Sequence, residues 1–187
     1  MRETDCSVRR LQAVLSVEEC LEKYVDVEKY LGFCRQCPNY GNCWSCPPYD
    51  FDPVDVWKSY DRLEILALQI TPASEETRKQ AAEDPRALLG PLRASLDEEL
   101  ARMEAEIPGS LRLNAGKCLV CPVCARGKGK PCRFPEKRRY SIESLGGAVG
   151  DIAAQVLHAP LQWAKNGEPP AYFVLVGGLL RKEPDRA

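Results

Sequence analysis

The sequence predicts an α+β protein: a small, mostly antiparallel sheet covered by helices and carrying two cysteine-rich metal-binding loops. Three observations lead there. Residues 62–71 and 171–181 are apolar, partly alternating runs of strand character. The region 74–107 between them is charged and alanine-rich, as helices are. Eight of the ten cysteines concentrate in two proline-broken segments that no regular element can occupy. Strands and helices do not alternate regularly, which argues against a parallel α/β sheet.

Taken in order, residues 8–33 read as helical, with Ser16 and Glu19 as a capping box for a helix through Leu21 and Tyr24. Residues 34–48 hold the first cysteine block and read as a loop. The run RLEILALQIT at 62–71 stops at Pro72 and suits a half-buried strand. In the helical insert 74–107, Pro85 and Pro91 can each open a new helix. From Pro91 onward Leu92, Leu96, Leu100, Met103 and Ile107 fall on one stripe, a core-facing pattern, and Pro108-Gly109 ends it. The second cysteine block fills 118–135. Ser141 reads as the N-cap of a helix through Ile152 and Val156 that stops before Pro160. The run AYFVLVGGLLR at 171–181 is the second strand. With 187 residues, a single metal-binding domain over 1–187 is the expectation.

Composition narrows function. Lys and Arg number 26 against 27 Asp and Glu, so no global charge invites nucleic acid or an anionic membrane. The longest apolar run, 171–180, is half the roughly 20 residues a spanning helix takes. The N-terminus mixes both charges and has no apolar leader core, which points to the cytoplasm, where thiols stay reduced.

In that setting cysteines are ligands sooner than disulfides. Cys34, Cys37, Cys43 and Cys46 lie within 13 residues, and Cys118, Cys121, Cys124 and Cys132 within 15; Cys6 and Cys20 stand apart. Four and four is the arithmetic of two sites. In the second block, cysteines at steps of three let one tight loop offer three thiolates to three corners of a cubane, the spacing of 4Fe-4S proteins. Ferredoxins reach their fourth cysteine after three residues; here seven intervene before Cys132. In the first block, five residues separate two C-x-x-C pairs, tight for a zinc site built from two knuckles. The only histidine, His158, is remote from both blocks and reads as a surface or helix-end residue.

The run from Cys34 through Pro48, with Tyr40-Gly41, Trp44-Ser45-Cys46-Pro47-Pro48, followed by Cys118, Cys121, Cys124, Cys132-Arg133, Pro135 and Tyr140-Ser141-Ile142-Glu143-Ser144-Leu145-Gly146, resembles the predicted metal-binding family catalogued as domain of unknown function 2284. The resemblance spans roughly residues 20 to 180. It implies a small prokaryotic protein, often of anaerobes, that binds iron-sulfur clusters. It places the ligand role on Cys34, Cys37, Cys46, Cys118, Cys121, Cys124 and Cys132. Cys43 falls outside its cysteine pattern, which leaves the fourth ligand of the first site to Cys20, Cys6, a cysteine of the second block or a non-cysteine group.

Residues 126–139 hold Arg126, Lys128, Lys130, Arg133, Lys137, Arg138 and Arg139 against Glu136 alone. They suit an acidic protein redox partner, or they neutralise the negative charge of a thiolate-held cluster. Trp44 and Tyr40 flank ligands and could wall a cluster from water, or equally serve as aromatics that pack the loop. No phosphate loop, nucleophile elbow or histidine-carboxylate pair is present in the sequence. The expectation is a cytosolic protein with one or two 4Fe-4S clusters, an electron carrier or redox accessory to a partner enzyme, whose cysteine loops meet at one end of the sheet. Two alternatives stand beside it: a zinc-stabilised interaction module, and a cluster enzyme with an open iron corner, which requires one site of three thiolates beside a cavity.

Overall fold

The computed structural model describes residues 6–165 and 168–183. Residues 1–5, part of the stretch read as lacking a leader, lie outside them. Four strands, β1 (Cys6–Ser16), β2 (Arg62–Pro72), β3 (Leu111–Leu113) and β4 (Phe173–Arg181), form one antiparallel sheet in the order β1-β2-β4-β3. The two strands expected from sequence are its centre. The helices are α1 (Val17–Glu19), extended by a wider π-type turn at Cys20–Tyr24, α2 (Val27–Arg35), α3 (Pro53–Lys58), α4 (Glu75–Glu83), α5 (Pro85–Glu106) and α6 (Val149–Asp151), extended likewise at Ile152–Val156. The fold is the α+β class expected.

β2 shows why its sequence is apolar almost throughout. Leu63, Ile65 and Ala67 face one core cluster, shared with Trp57, Ile142, Leu145 and Ile152. Leu66, Leu68 and Ile70 face the other, shared with Leu88, Leu96 and Leu100 of α5. Both faces of the sheet are covered, so the two-residue period sorts side chains between two cores. Gly177 and Gly178 in β4 serve the same packing: a Cβ at Gly177 would stand 2.6 Å from Leu100 Cδ1, and one at Gly178 2.8 Å from Leu63 Cδ1.

Three expectations need correction. Residues 6–16 are strand, not helix; the helix begins at Ser16, whose Oγ accepts the Glu19 N–H at 3.0 Å as the capping box required. β1 pairs with β2 along its whole length and turns Leu11, Ala13 and Leu15 inward at alternate positions. That ladder outweighs the mixed helical spacing of the same residues. Pro91 does not start a helix but sits inside α5, which is continuous from Pro85. The stripe explains it, because Leu88, Leu96 and Leu100 are all buried and a break at Pro91 would split them. Leu92 and Met103 pack on the same cluster, and Ile107 is the C-cap residue. Ser141 is not a helix N-cap: it precedes one 3₁₀ turn, Glu143–Leu145, whose cap position is Ile142; its Oγ accepts the Ser144 N–H at 3.2 Å, and Gly146 at φ +84° ends the turn before α6 begins.

Candidate metal centre

The first cysteine block begins on a helix and continues as loop. α2, capped by the Asp26 carboxylate on the Lys29 N–H at 2.9 Å, carries Cys34 in its last turn. Beyond it a chain of tight turns leads from Cys37 to Cys46, closed by the Gly41 N–H on Pro47 O at 2.8 Å. The second block leaves the sheet at β3. Asp97 of α5 accepts the Ala115 N–H at 3.2 Å, and the Arg93 guanidinium donates to Lys117 O, so α5 fixes where that loop begins.

The two loops interlock. Trp44 Nε1 donates to Lys130 O at 2.9 Å, and the Cys118 N–H donates to Ser45 Oγ at 2.9 Å. Arg126 of the second loop reaches three carbonyls of the first, Cys43 O at 3.0 Å, Cys46 O at 2.6 Å and Pro48 O at 2.5 Å, with its guanidinium 4.8 Å from the Trp44 ring centre. Each is a charge-assisted bond to a backbone carbonyl; Cys43 O also accepts the Cys46 N–H at 3.0 Å. Arg126→Ala is expected to destabilise the apoprotein by about 2–4 kcal/mol in urea denaturation. Arg126→Lys should restore only part of it, because an ammonium lacks the planar fork. A loss below about 0.5 kcal/mol in the alanine variant would show that the clamp is idle.

Of the other basic residues of this segment, Arg138 and Arg139 are half-buried, while Arg133 and Lys137 are exposed. Arg139 pairs with Glu104 at 2.6 Å, Arg133 donates to Val123 O at 3.2 Å, and Arg138 lies over Tyr140 at 5.5 Å. Lys128 and Lys130 stay exposed.

The cysteines sort into two groups that cross the block boundary. Cys34, Cys37 and Cys46 line a cavity of about 220 Å³ with Tyr40, Lys117 and Glu143. Cys43, Cys118, Cys121, Cys124 and Cys132 line a second, smaller one with Trp44, Ser45 and Phe134. Cys43 therefore sits with the second block, although its sequence neighbours serve the first. Ser45, 1% exposed, stands between the groups, with Oγ 3.3 Å from Cys43 Sγ and 3.9 Å from Cys46 Sγ. Further donors reach sulfur: the Trp44 N–H to Cys124 Sγ at 3.4 Å and Asn39 Nδ2 to Cys37 Sγ at 3.5 Å.

The electrostatics follow this layout. A hydrogen bond from Cys46, aided by Ser45 and Cys124, holds Cys43 below the usual thiol range despite burial, and the same bond pushes Cys46 above it. Burial, then the charges of Cys37 and Glu143, raises Cys34. Burial also raises Glu143, whose Oε2 is closed off from solvent and has no hydrogen-bond partner. Cys20 belongs to neither group; it lies in the apolar core, where burial pushes its thiol up to about 12. Cys6, at the start of β1, packs against the α5 cluster. His158 ends the turn after α6, exposed, at φ 51°.

A third cavity, about 430 Å³ and lined chiefly by apolar side chains of β4, α5 and residues 161–164, shares Gly116 and Glu143 with the three-cysteine cavity. Ser45, Asn39 and Glu143 carried no sequence signal of their own as site residues. Glu143 and Ser45 stood only inside the family motifs, where nothing marks an acid or a hydroxyl for chemistry until the loops close.

The donor set fits a thiophilic group: eight thiols in two clusters, reduced, with hydrogen bonds aimed at sulfur. Among the described residues no three His, Cys, Asp or Glu side chains converge closely enough for a single ion. The family model described as predicted metal-binding protein (DUF2284) matches residues 21–180, and the chain belongs to that family. No curated protein and no solved structure matches it.

Proposed function

We propose that this member of the DUF2284 family is an iron-sulfur protein with two adjacent thiolate-lined sites, working as an electron carrier or as a redox accessory to a partner enzyme. The observation that carries the reading is the sorting of cysteines across the block boundary: Cys46 goes with Cys34 and Cys37, while Cys43 goes with the second block. Two-cluster ferredoxins pass the last cysteine of each run to the other cluster; here a single cysteine, Cys43, crosses, and Cys46, the last of its run, stays with its own block. A thiolate-held cubane takes its ligands from around a multi-atom core, and the two groups of cysteines line separate cavities. When bound, such a cluster supplies one-electron chemistry.

The chain's own contribution is to hold and tune. Cys34, Cys37 and Cys46 would bind one cluster, and Cys118, Cys121 and Cys124, with Cys132 or Cys43, the other. Hydrogen bonds from Asn39 and the Trp44 N–H to sulfur stabilise the more reduced, more negative state. Leu119, Val120, Val123 and Phe134 are exposed on the second loop beside Lys128 and Lys130, a face that suits an acidic redox partner docking over the second site.

One observation favours a second reading, a cluster enzyme with an open iron corner. The first site offers three thiolates and abuts the 430 Å³ cavity, the arrangement such an enzyme requires. The first experiment serves both: iron, acid-labile sulfide and zinc content of protein purified without oxygen, with visible spectra before and after dithionite. Brown colour that bleaches, with about eight iron and eight sulfide per chain, is the expected result. Zinc without sulfide or colour would overturn the proposal in favour of a zinc-stabilised module.

A further inference from the structure

We infer that Glu143 supplies the fourth donor of the Cys34, Cys37 and Cys46 site, making the corner it occupies a labile, oxygen-ligated one that opens on the apolar cavity. The inference rests on the proposal that this site holds an iron-sulfur cluster.

Glu143 is the only carboxylate among the described residues lining the three-cysteine cavity. Its charge is felt at Cys34, a thiol of that cavity. Its Oε2 is shut away from water with nothing to accept from, a setting that favours the neutral acid and turns to favour the carboxylate when a cation faces it. Arg93 lowers that cost only through space; it forms no ion pair with Glu143, its guanidinium being engaged with Asp97 and Lys117 O. Hydrogen bonding from the Ser141 side chain and the Glu143 backbone serves the carboxyl group but leaves Oε2 without a partner, while the Ser144 hydroxyl is spent on Ser141 O. A metal at the cavity's fourth corner would satisfy the orphaned oxygen and complete a site otherwise one ligand short. Cys6 and Cys20 do not line that cavity: Cys20 is buried in one core and the half-buried Cys6 packs against the other.

Position gives the corner its second property. Glu143 and Gly116 line both the cysteine cavity and the 430 Å³ cavity, so the fourth corner sits at the wall between them. An oxygen donor holds cluster iron less firmly than thiolate does, because thiolate is the softer ligand. The cavity beyond is lined by Leu89, Val149, Phe173 and Leu175, which suits a small, largely apolar molecule carrying one donor atom.

The test uses the full chain, reconstituted anaerobically as wild type, Glu143→Gln, Glu143→Ala and Glu143→Cys. Iron, sulfide and electron paramagnetic resonance are read before and after mild oxidation with chelator present. In the wild type, oxidation should release about one iron per chain at constant sulfide and produce a paramagnetic three-iron cluster. Glu143→Ala should be isolated already short of that iron, Glu143→Gln should release it about 10-fold faster, and Glu143→Cys about 10-fold more slowly. A merely structural glutamate would leave the iron-to-sulfide ratio alone and would not be improved by cysteine. Full iron and sulfide in every variant, with equal release rates, would overturn the inference while leaving the cluster proposal standing. Absence of sulfide from the wild type would remove both.

Discussion

Cys121→Ser is expected to lower iron and sulfide from about eight to about four per chain, while Cys6→Ser leaves both unchanged. The physical reason is softness and reach. A serine oxygen must lose a proton from a much weaker acid than a thiol and is then the harder donor for cluster iron. Cys118, Cys121 and Cys124 sit three residues apart on one loop, and all three line the same cavity. The buried Cys43, 3% exposed, is tied to Ser45, whose Oγ also receives the Cys118 N–H, so moving Cys43 toward the Cys121 position would break its bond to Ser45. Cys6, by contrast, starts β1 and packs on the α5 cluster, and it lines neither cysteine cavity. The visible spectrum should retain the contribution of the first site, because Cys34, Cys37 and Cys46 line a separate cavity. Equal iron and sulfide in the two variants would refute the division of ligands.

The fold was legible where local pattern and tertiary role agree. β2 and β4 announce themselves by apolar runs because they are the central strands, covered on both faces. The α5 stripe is legible for the same reason. β1 was hidden because it is an edge strand with one inward face, and its residues Val8, Leu11 and Leu15 also satisfy a helical spacing. β3 is three residues long and exists only through pairing with Leu179 and its neighbours, a long-range fact with no local trace. In the site, cysteine spacing pointed to ligands one by one, and the similar size and chemistry of the two loops pointed to their meeting. Which cavity each thiol lines was not legible, since it depends on how Arg126 and Ser45 join the loops. Cys43 and Cys46 are three residues apart and line different cavities, and the pattern C-x-x-C by itself says the opposite.

Gly146→Ala should be strongly destabilising, costing about 3–5 kcal/mol in urea denaturation of the apoprotein. Two penalties add there. Gly146 holds φ +84°, a left-handed backbone that a Cβ disfavours, and the new atom would lie 2.7 Å from Val27 Cγ2 and 2.8 Å from Val27 Cα. The second of these is backbone and cannot turn aside. The contact is close because Gly146 O accepts the Asp26 N–H at 2.9 Å, while Ala148 donates to Tyr24 O at 2.7 Å, clamping the chain that enters α2. α2 carries Cys34, and Gly146 directly ends the turn that begins at Glu143. Relief of the clash must push the two apart, so the same variant should also weaken metal retention at the first site and spare the second. Gly32 is the matched control, because it has an ordinary helical setting in α2 and an added methyl group there would meet nothing within 4 Å. Gly32→Ala should be neutral or stabilising by about 0.5–1 kcal/mol. A Gly146→Ala variant within about 1 kcal/mol of wild type would mean that the α2 junction yields freely and that the three-cysteine cavity is not held in place by it.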